Sequence, residues 1–134
     1  MFLLGNSVIS WSSKKQTCIA LSMMEAEFVA LSVTVQEGVW LKRFVDHLRV
    51  TPSSNILTIF TDSQASISYS KDPKFHSKAK HIDIKYHYVK DMVAQGGVNL
   101  KYIPTHEMIA DPLTKVVNRE TFDRHVKSLG LRRL

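Results

Sequence analysis

Residues 22–48 contain no Pro and repeat apolar side chains at helical period, so a helix of about seven turns is the first element the chain dictates. Ser22 followed by Glu25 marks its start, at the capping-box spacing that satisfies the free N–H groups of a first turn. Ala30, Leu31, Thr34, Leu41, Val45 and Leu48 form the expected apolar stripe. Glu27 stands at the head of that stripe, which aims its carboxylate at a sheet rather than at water. Glu25 points elsewhere, and capping accounts for it. Residues 56–61, Ile-Leu-Thr-Ile-Phe-Thr, are β-branched and apolar enough for a buried central strand that ends at Asp62.

The remaining elements follow from punctuation. Gly5-Asn6 between two short apolar stretches reads as a hairpin turn, and the second arm is expected to continue through Gln16 to Ile19. Residues 52–55 are a loop. A short helix is expected from Ser63 to Ser70, broken before Pro73. A longer one follows with Ile82, Tyr86, Val89 and Val93 as its buried stripe and Gly96-Gly97 as its stop. Residues 98–103 alternate as a strand that stops at Pro104. Thr105 is expected to cap a helix through Lys115 that Pro112 bends. Asn118 is expected to cap another in which Phe122, Val126 and Leu129 share a face and Gly130 ends it. Trp11 and Trp40 are assigned to the core, with base stacking open only to an exposed one. The order says α/β, with helices packed on a mixed sheet.

Composition limits what such a chain does. At 134 residues, 44% hydrophobic and 22% charged, it can bury a core, which excludes a disordered chain. The lone Cys18 excludes an internal disulfide and fits a reducing compartment. No apolar run approaches the roughly 18–20 residues of a membrane span, and residues 1–4 are too short for a signal-peptide core. A soluble intracellular chain is therefore expected. A net charge of +6 favours a polyanionic partner.

Three acids are placed for chemistry: Glu27 near a helix start, Asp62 at a strand end and Asp111 in a later helix. Converging carboxylates repel one another unless a cation neutralises them. Oxygen ligands without Cys or a compact His cluster favour Mg²⁺ or Mn²⁺ over zinc. Two such ions about 4 Å apart are a device for in-line attack on a phosphodiester. Against this, a lone Asp at a strand end is usually a helix cap or turn residue, and Asp62 before Ser63 fits that too. Lys71, Lys74, Lys78, Lys80, Lys85 and Lys90 either track the phosphates of a nucleic acid or form a solvated face. The spacing of His76, His81 and His87 does not place all three on one helical face. His106 is close enough to Asp111 in sequence to suggest product release, with an ordinary surface histidine as the alternative.

Five stretches stand out together: residues 9–16 (Ile-Ser-Trp-Ser-Ser-Lys-Lys-Gln), 25–31 (Glu-Ala-Glu-Phe-Val-Ala-Leu), 61–65 (Thr-Asp-Ser-Gln-Ala), 80–86 (Lys-His-Ile-Asp-Ile-Lys-Tyr) and 109–115 (Ile-Ala-Asp-Pro-Leu-Thr-Lys). They resemble the ribonuclease H region of copia-type LTR retrotransposon Pol polyproteins. The order is right and the likeness covers nearly the whole chain. It implies an RNase H-like fold that cuts the RNA strand of RNA–DNA hybrids with two Mg²⁺ or Mn²⁺ ions. The family's helix glutamate falls on Glu27, its strand-end aspartate on Asp62 and its late aspartate on Asp111. Lys71, Lys74, Lys78, Lys80 and Lys85 become the nucleic-acid-binding candidates. The expected partners are a hybrid and the reverse transcriptase part of a Pol polyprotein, in a cytoplasmic particle or the nucleus.

The resemblance also requires a first aspartate on a first, central strand, and no acid precedes Glu25. The expectation is therefore an RNase H-like mixed sheet lacking that strand, with residues 1–115 as a partial domain and 116–134 as a C-terminal helix. Residues 3–16 are expected either to re-pair beside 56–60 or to hang at an uncovered edge. Loss of one bridging carboxylate at about 4 kcal/mol leaves about a thousandth of the rate. Three outcomes stay open: a weak or inactive ribonuclease, a non-catalytic basic nucleic-acid binder, and an inert product.

Overall fold

Capping sets the first long element where the sequence puts it. The computed structural model describes residues 1–17, 19–50, 56–72 and 80–131, so Cys18, the 52–55 loop and Pro73 lie outside the described residues. Helix α1 runs Met23–Leu48 with Ser22 as N-cap, the Ser22 hydroxyl accepting from the Glu25 N–H at 3.1 Å. The Glu25 carboxylate reaches back to accept from the Leu21 N–H at 2.7 Å, completing a reciprocal cap. Of the expected stripe Leu31 is buried and Thr34, Leu41 and Val45 are half-buried, so the buried stripe overlaps it only in part. Phe28, Leu31 and Val35 face the core with Met24 and Val39 beside them, while Ala30 and Leu48 are exposed. Phe28 decides the rotation, because a buried aromatic removes more apolar area from water than any residue of the expected stripe.

Strand β3 (Leu57–Thr61) pairs in parallel with β4 (Val98–Tyr102), in register from Leu57 opposite Val98 to Thr61 opposite Tyr102. Between them the chain forms α2 (Gln64–Lys71) and α3 (Lys80–Ala94). Parallel strands need such a crossover, and the helices supply the cover. Tyr86, Val89, Ile59, Val98 and Leu100 complete the core with the α1 stripe and Tyr69. Tyr86 and Val89 are buried as the α3 stripe predicts and Val93 is half-buried, whereas the side chain of Ile82 lies outside the described residues. Gly96, at φ +71°, follows α3 in the left-handed conformation.

Three rings tie the helices together. Phe28 and Tyr69 meet edge to face at 4.8 Å between centroids, as do Tyr69 and Tyr86 at 5.5 Å, while Phe28 and Tyr86 are tilted at 42° and 6.1 Å apart. The Tyr86 hydroxyl donates to the Asp72 carbonyl. The helices cover one face of the strand pair only. Ile59 is buried, but Phe60 is 54% exposed and Asn99 and Lys101 face outward. Residues 56–61 are thus not the buried central strand expected of them: β3 has a single strand neighbour among the described residues.

The N-terminal hairpin joins β1 (Phe2–Leu4) antiparallel to β2 (Ser7–Ser10). Gly5 and Asn6 both adopt positive φ, 58° and 63°, as a two-residue turn matched to strand twist requires. The second arm stops at Ser10, and residues 11–17 form no strand. The hairpin does not pair with β3. The strands form two separate two-stranded sheets, one antiparallel and one parallel, where one mixed sheet was expected. Polar residues 12–16 offer no alternating apolar face to extend the ladder.

The expected helix from Thr105 is replaced by two short 3-10 turns, Thr105–Glu107 and Asp111–Leu113. Pro112 donates no N–H and biases the residue before it away from helix, so the segment breaks rather than bends. Helix α4 (Arg119–Ser128) starts at Asn118, whose side chain accepts from the Thr121 N–H at 2.8 Å. Its buried residue is His125; of the residues expected to share a face, Val126 and Leu129 are half-buried and Phe122 is exposed. Gly130, at φ +72°, ends it, and a Cβ there would stand 2.6 Å from the Asn6 carbonyl oxygen.

The chain divides into two compact units, Gln16–Ile103 and the pair of segments Met1–Lys15 and Pro104–Leu134. The first contains α1–α3 with the parallel strands; the second contains the hairpin, the 3-10 turns and α4.

Burial, with the Glu25 carboxylate adding, pushes the Tyr69 phenol up from 10.0 to about 12. Tyr86 is raised as well, by burial first and by Asp72 next. A phenol held neutral in the fold stabilises it fully below its unfolded value, and that contribution is lost as pH rises from 10.0 through about 12. Urea midpoints are therefore expected to drop more steeply between neutral pH and about pH 11 in the native chain than in Tyr69→Phe. Equal slopes would disprove the assignment.

Candidate active site

Asp62 is the best placed of the three acids. It directly follows β3 and is half-buried. The N-cap of α2 is Ser63, whose hydroxyl accepts from the Ser66 N–H at 3.2 Å and contacts the Ser66 hydroxyl at 2.9 Å. The Ser63 N–H in turn donates to the Thr61 hydroxyl at 3.2 Å. Capping is therefore done by Ser63, and the bland explanation of Asp62 as the helix cap does not apply. The parallel ladder continues to this point, with the Ile103 N–H donating to the Thr61 carbonyl at 3.0 Å. Asp62 thus sits at the carboxyl end of a parallel pair, where α/β sheets present ligand-binding groups.

Glu27 is in the same unit, in the second turn of α1, and is exposed. Its expected aim toward the sheet fails because α1 turns the Phe28 side inward. Asp111 belongs to the other unit, at the first residue of the second 3-10 turn. Its carboxylate is mostly buried and pairs with Lys115 at 2.9 Å. Its carbonyl accepts from the Thr114 and Lys115 N–H groups, both at 2.9 Å. Next to it Pro112, Leu113, Val116, Val117 and Phe122 line a shallow groove.

In neither unit do three His, Cys, Asp or Glu side chains among the described residues cluster closely enough to hold a metal ion.

Of the lysine candidates, Lys71 is exposed at the end of α2 and Lys85 is half-buried on α3. Lys74, Lys78 and the side chain of Lys80 lie outside the described residues, as do His76 and the side chain of His81. Lys90 lies over the Tyr86 ring, 5.8 Å from its centroid. His87 pairs with Asp83 at 3.7 Å, and His106, exposed, lies 3.5 Å from Glu107. The Arg124 guanidinium donates to the His106 carbonyl at 3.0 Å.

Both tryptophans, expected in the core, are exposed: Trp11 at 66% and Trp40 at 58%. Trp40 stacks on Phe44 across the outward side of α1, a surface that the single-stripe reading of the helix missed. The signal was present as a second apolar set, Val33, Trp40, Phe44 and Leu48, on the opposite side from Phe28.

The chain is similar over nearly its full length to retrovirus-related Pol polyproteins. It is 39% identical over 131 residues to that of transposon TNT 1-94 from Nicotiana tabacum, a match covering 98% of this chain and 10% of the relative. It is 33% identical over 131 residues to that of transposon RE1 from Arabidopsis thaliana, covering 98% and 9%. For transposon RE2 of the same plant the figures are 33% over 128 residues, 96% and 9%. The chain thus spans about a tenth of the length of the curated relatives it matches. No protein-family model matches it. No solved structure matches it.

If Ser63 is the cap, Ser63→Ala is expected to lower unfolding free energy by about 1 kcal/mol, read from urea denaturation followed by circular dichroism. A midpoint unchanged within error would show that the cap lies elsewhere.

Proposed function

We propose that the chain is the ribonuclease H segment of a copia-type Pol polyprotein and acts on the RNA strand of RNA–DNA hybrids. The observation that carries this reading is the position of Asp62. The aspartate of the Thr61-Asp62-Ser63 motif stands at the end of a parallel strand, with the helix-capping role taken by its neighbour. Similarity to retrotransposon Pol polyproteins over 98% of the chain supports it. Asp62 is the acid proposed to act at the scissile phosphate, and Lys71 and Lys85, on the two helices that follow it, are proposed to meet flanking phosphates. Glu27 and Asp111 are the further proposed carboxylates. Mg²⁺ or Mn²⁺ enters the assay because the resemblance implies it. The proposed neighbour is the reverse transcriptase portion of the same polyprotein, inside the cell where such hybrids arise. No helix among the described residues is long and apolar enough to cross a membrane.

The exposure of Glu27 favours a second reading, a basic nucleic-acid binder without turnover.

A labelled RNA–DNA hybrid incubated with the chain and Mg²⁺ separates the two. The ribonuclease reading expects RNA-strand cleavage that falls at least about a hundredfold in Asp62→Asn. Salt-sensitive retention of the hybrid without cleavage supports the binder instead, and cleavage unchanged in Asp62→Asn sinks the role given to this residue.

A further inference from the structure

We infer that the outward face of the second half of α1 is a stacking platform for single-stranded nucleic acid. This rests on the proposed nucleic-acid reading and extends it to a second ligand contact, on a helix face away from the core. The Trp40 and Phe44 rings lie nearly parallel, 7° apart in plane with centroids separated by 5.7 Å, and Phe44, like Trp40, is about half exposed. At helical spacing His47 shares their side of the helix, away from Phe28, Leu31 and Val35, and Arg43 flanks it three residues after Trp40. Arg43 makes no ion pair among the described residues, whereas Lys42, on the flank, is held by Asp46 at 2.5 Å. Glu37 is the one acid of α1 on this face, a turn before Trp40.

Two parallel rings in water present π-surfaces on which a base can stack, and an adjacent guanidinium offers a phosphate contact. Unpaired bases expose their faces for this, whereas bases within a duplex are already stacked. The surface is poorly suited to a docking helix or a second copy of the chain. Glu37 and Arg43 border the exposed row Trp40, Phe44 and Leu48 and place charges beside it. The net charge of +6 favours the polyanion.

The test uses the full chain in a Trp11→Phe background, so that emission reports Trp40 alone. A short oligo(dT) is titrated at low salt in the presence of EDTA, with a blunt duplex of equal length alongside. Quenching of Trp40 is expected on oligo(dT). Trp40→Ala with Phe44→Ala should weaken oligo(dT) binding by at least about tenfold and leave duplex binding unchanged. Arg43→Ala should lower the salt slope by about one, and Glu37→Gln should tighten binding. All these positions lie outside the core, and urea midpoints of the variants check that the fold is kept. Oligo(dT) affinity unchanged in the double variant, or an equal loss on duplex, would overturn the inference. So would self-association of the free chain, seen by sedimentation, that the double variant abolishes with no effect on oligo(dT) binding. Because EDTA prevents divalent-dependent cleavage, strand binding without hybrid cleavage removes only the ribonuclease reading, and the reverse removes only this platform.

Discussion

The edge-to-face contact of Phe28, Tyr69 and Tyr86 is what the larger unit depends on. Each ring comes from a different helix, and the strands they cover number only two. A two-stranded ladder is at best marginal in water, so side-chain burial has to supply the cohesion. Each buried aromatic removes about 150–250 Å² from water, several kcal/mol at ~25 cal/mol per Å². The aliphatic residues around them, Val35, Ile59, Val89, Val98 and Leu100, are smaller and fill the gaps. Tyrosine rather than phenylalanine at two corners adds a constraint that goes beyond area. The Tyr86 hydroxyl reaches the carbonyl of Asp72, which fixes where α2 gives way to the next segment.

Legibility in the sequence followed the range of the interactions involved. Ser22–Glu25, Asn118 and Gly5-Asn6 were readable because a cap or a tight turn is satisfied within a few residues of itself. The parallel partner of residues 57–61 was less so, since nothing local specifies which distant strand completes a ladder. Helix α1 shows the limit most clearly. It carries two apolar sets, and choosing between them required knowing that Phe28 has two tyrosines to meet. The expected stripe shared Leu31 with the buried set but was rotated from it, which misdirected Glu27, and Trp40 was assigned to the core separately. Pro112 was recognised as disruptive, but its effect was underestimated: a bend was expected and the helix dissolved into two turns.

The candidate site shows the same division. Asp62 was correctly located because a strand end is a local feature, and the structure adds that Ser63 caps the helix. Whether Glu27, Asp62 and Asp111 act together is a question of long-range placement across two units, to which periodicity and spacing are blind. The likeness to transposon Pol polyproteins therefore bears on the chain's origin more directly than on its chemistry.

The smaller unit joins two segments far apart in sequence, Met1–Lys15 and Pro104–Leu134. Gly130, which follows α4, lies so close to the Asn6 carbonyl that no side chain fits between them. On an unfolded chain that encounter would mean closing a loop of more than about a hundred residues, an entropic cost that grows slowly but is never zero. The contiguous stretch 16–103 shortens the task once it has condensed, because it turns a long floppy tether into a compact insert. Emergence from the ribosome then imposes a sequence of events: the hairpin waits as an unpartnered arm until α4 is synthesised to meet it.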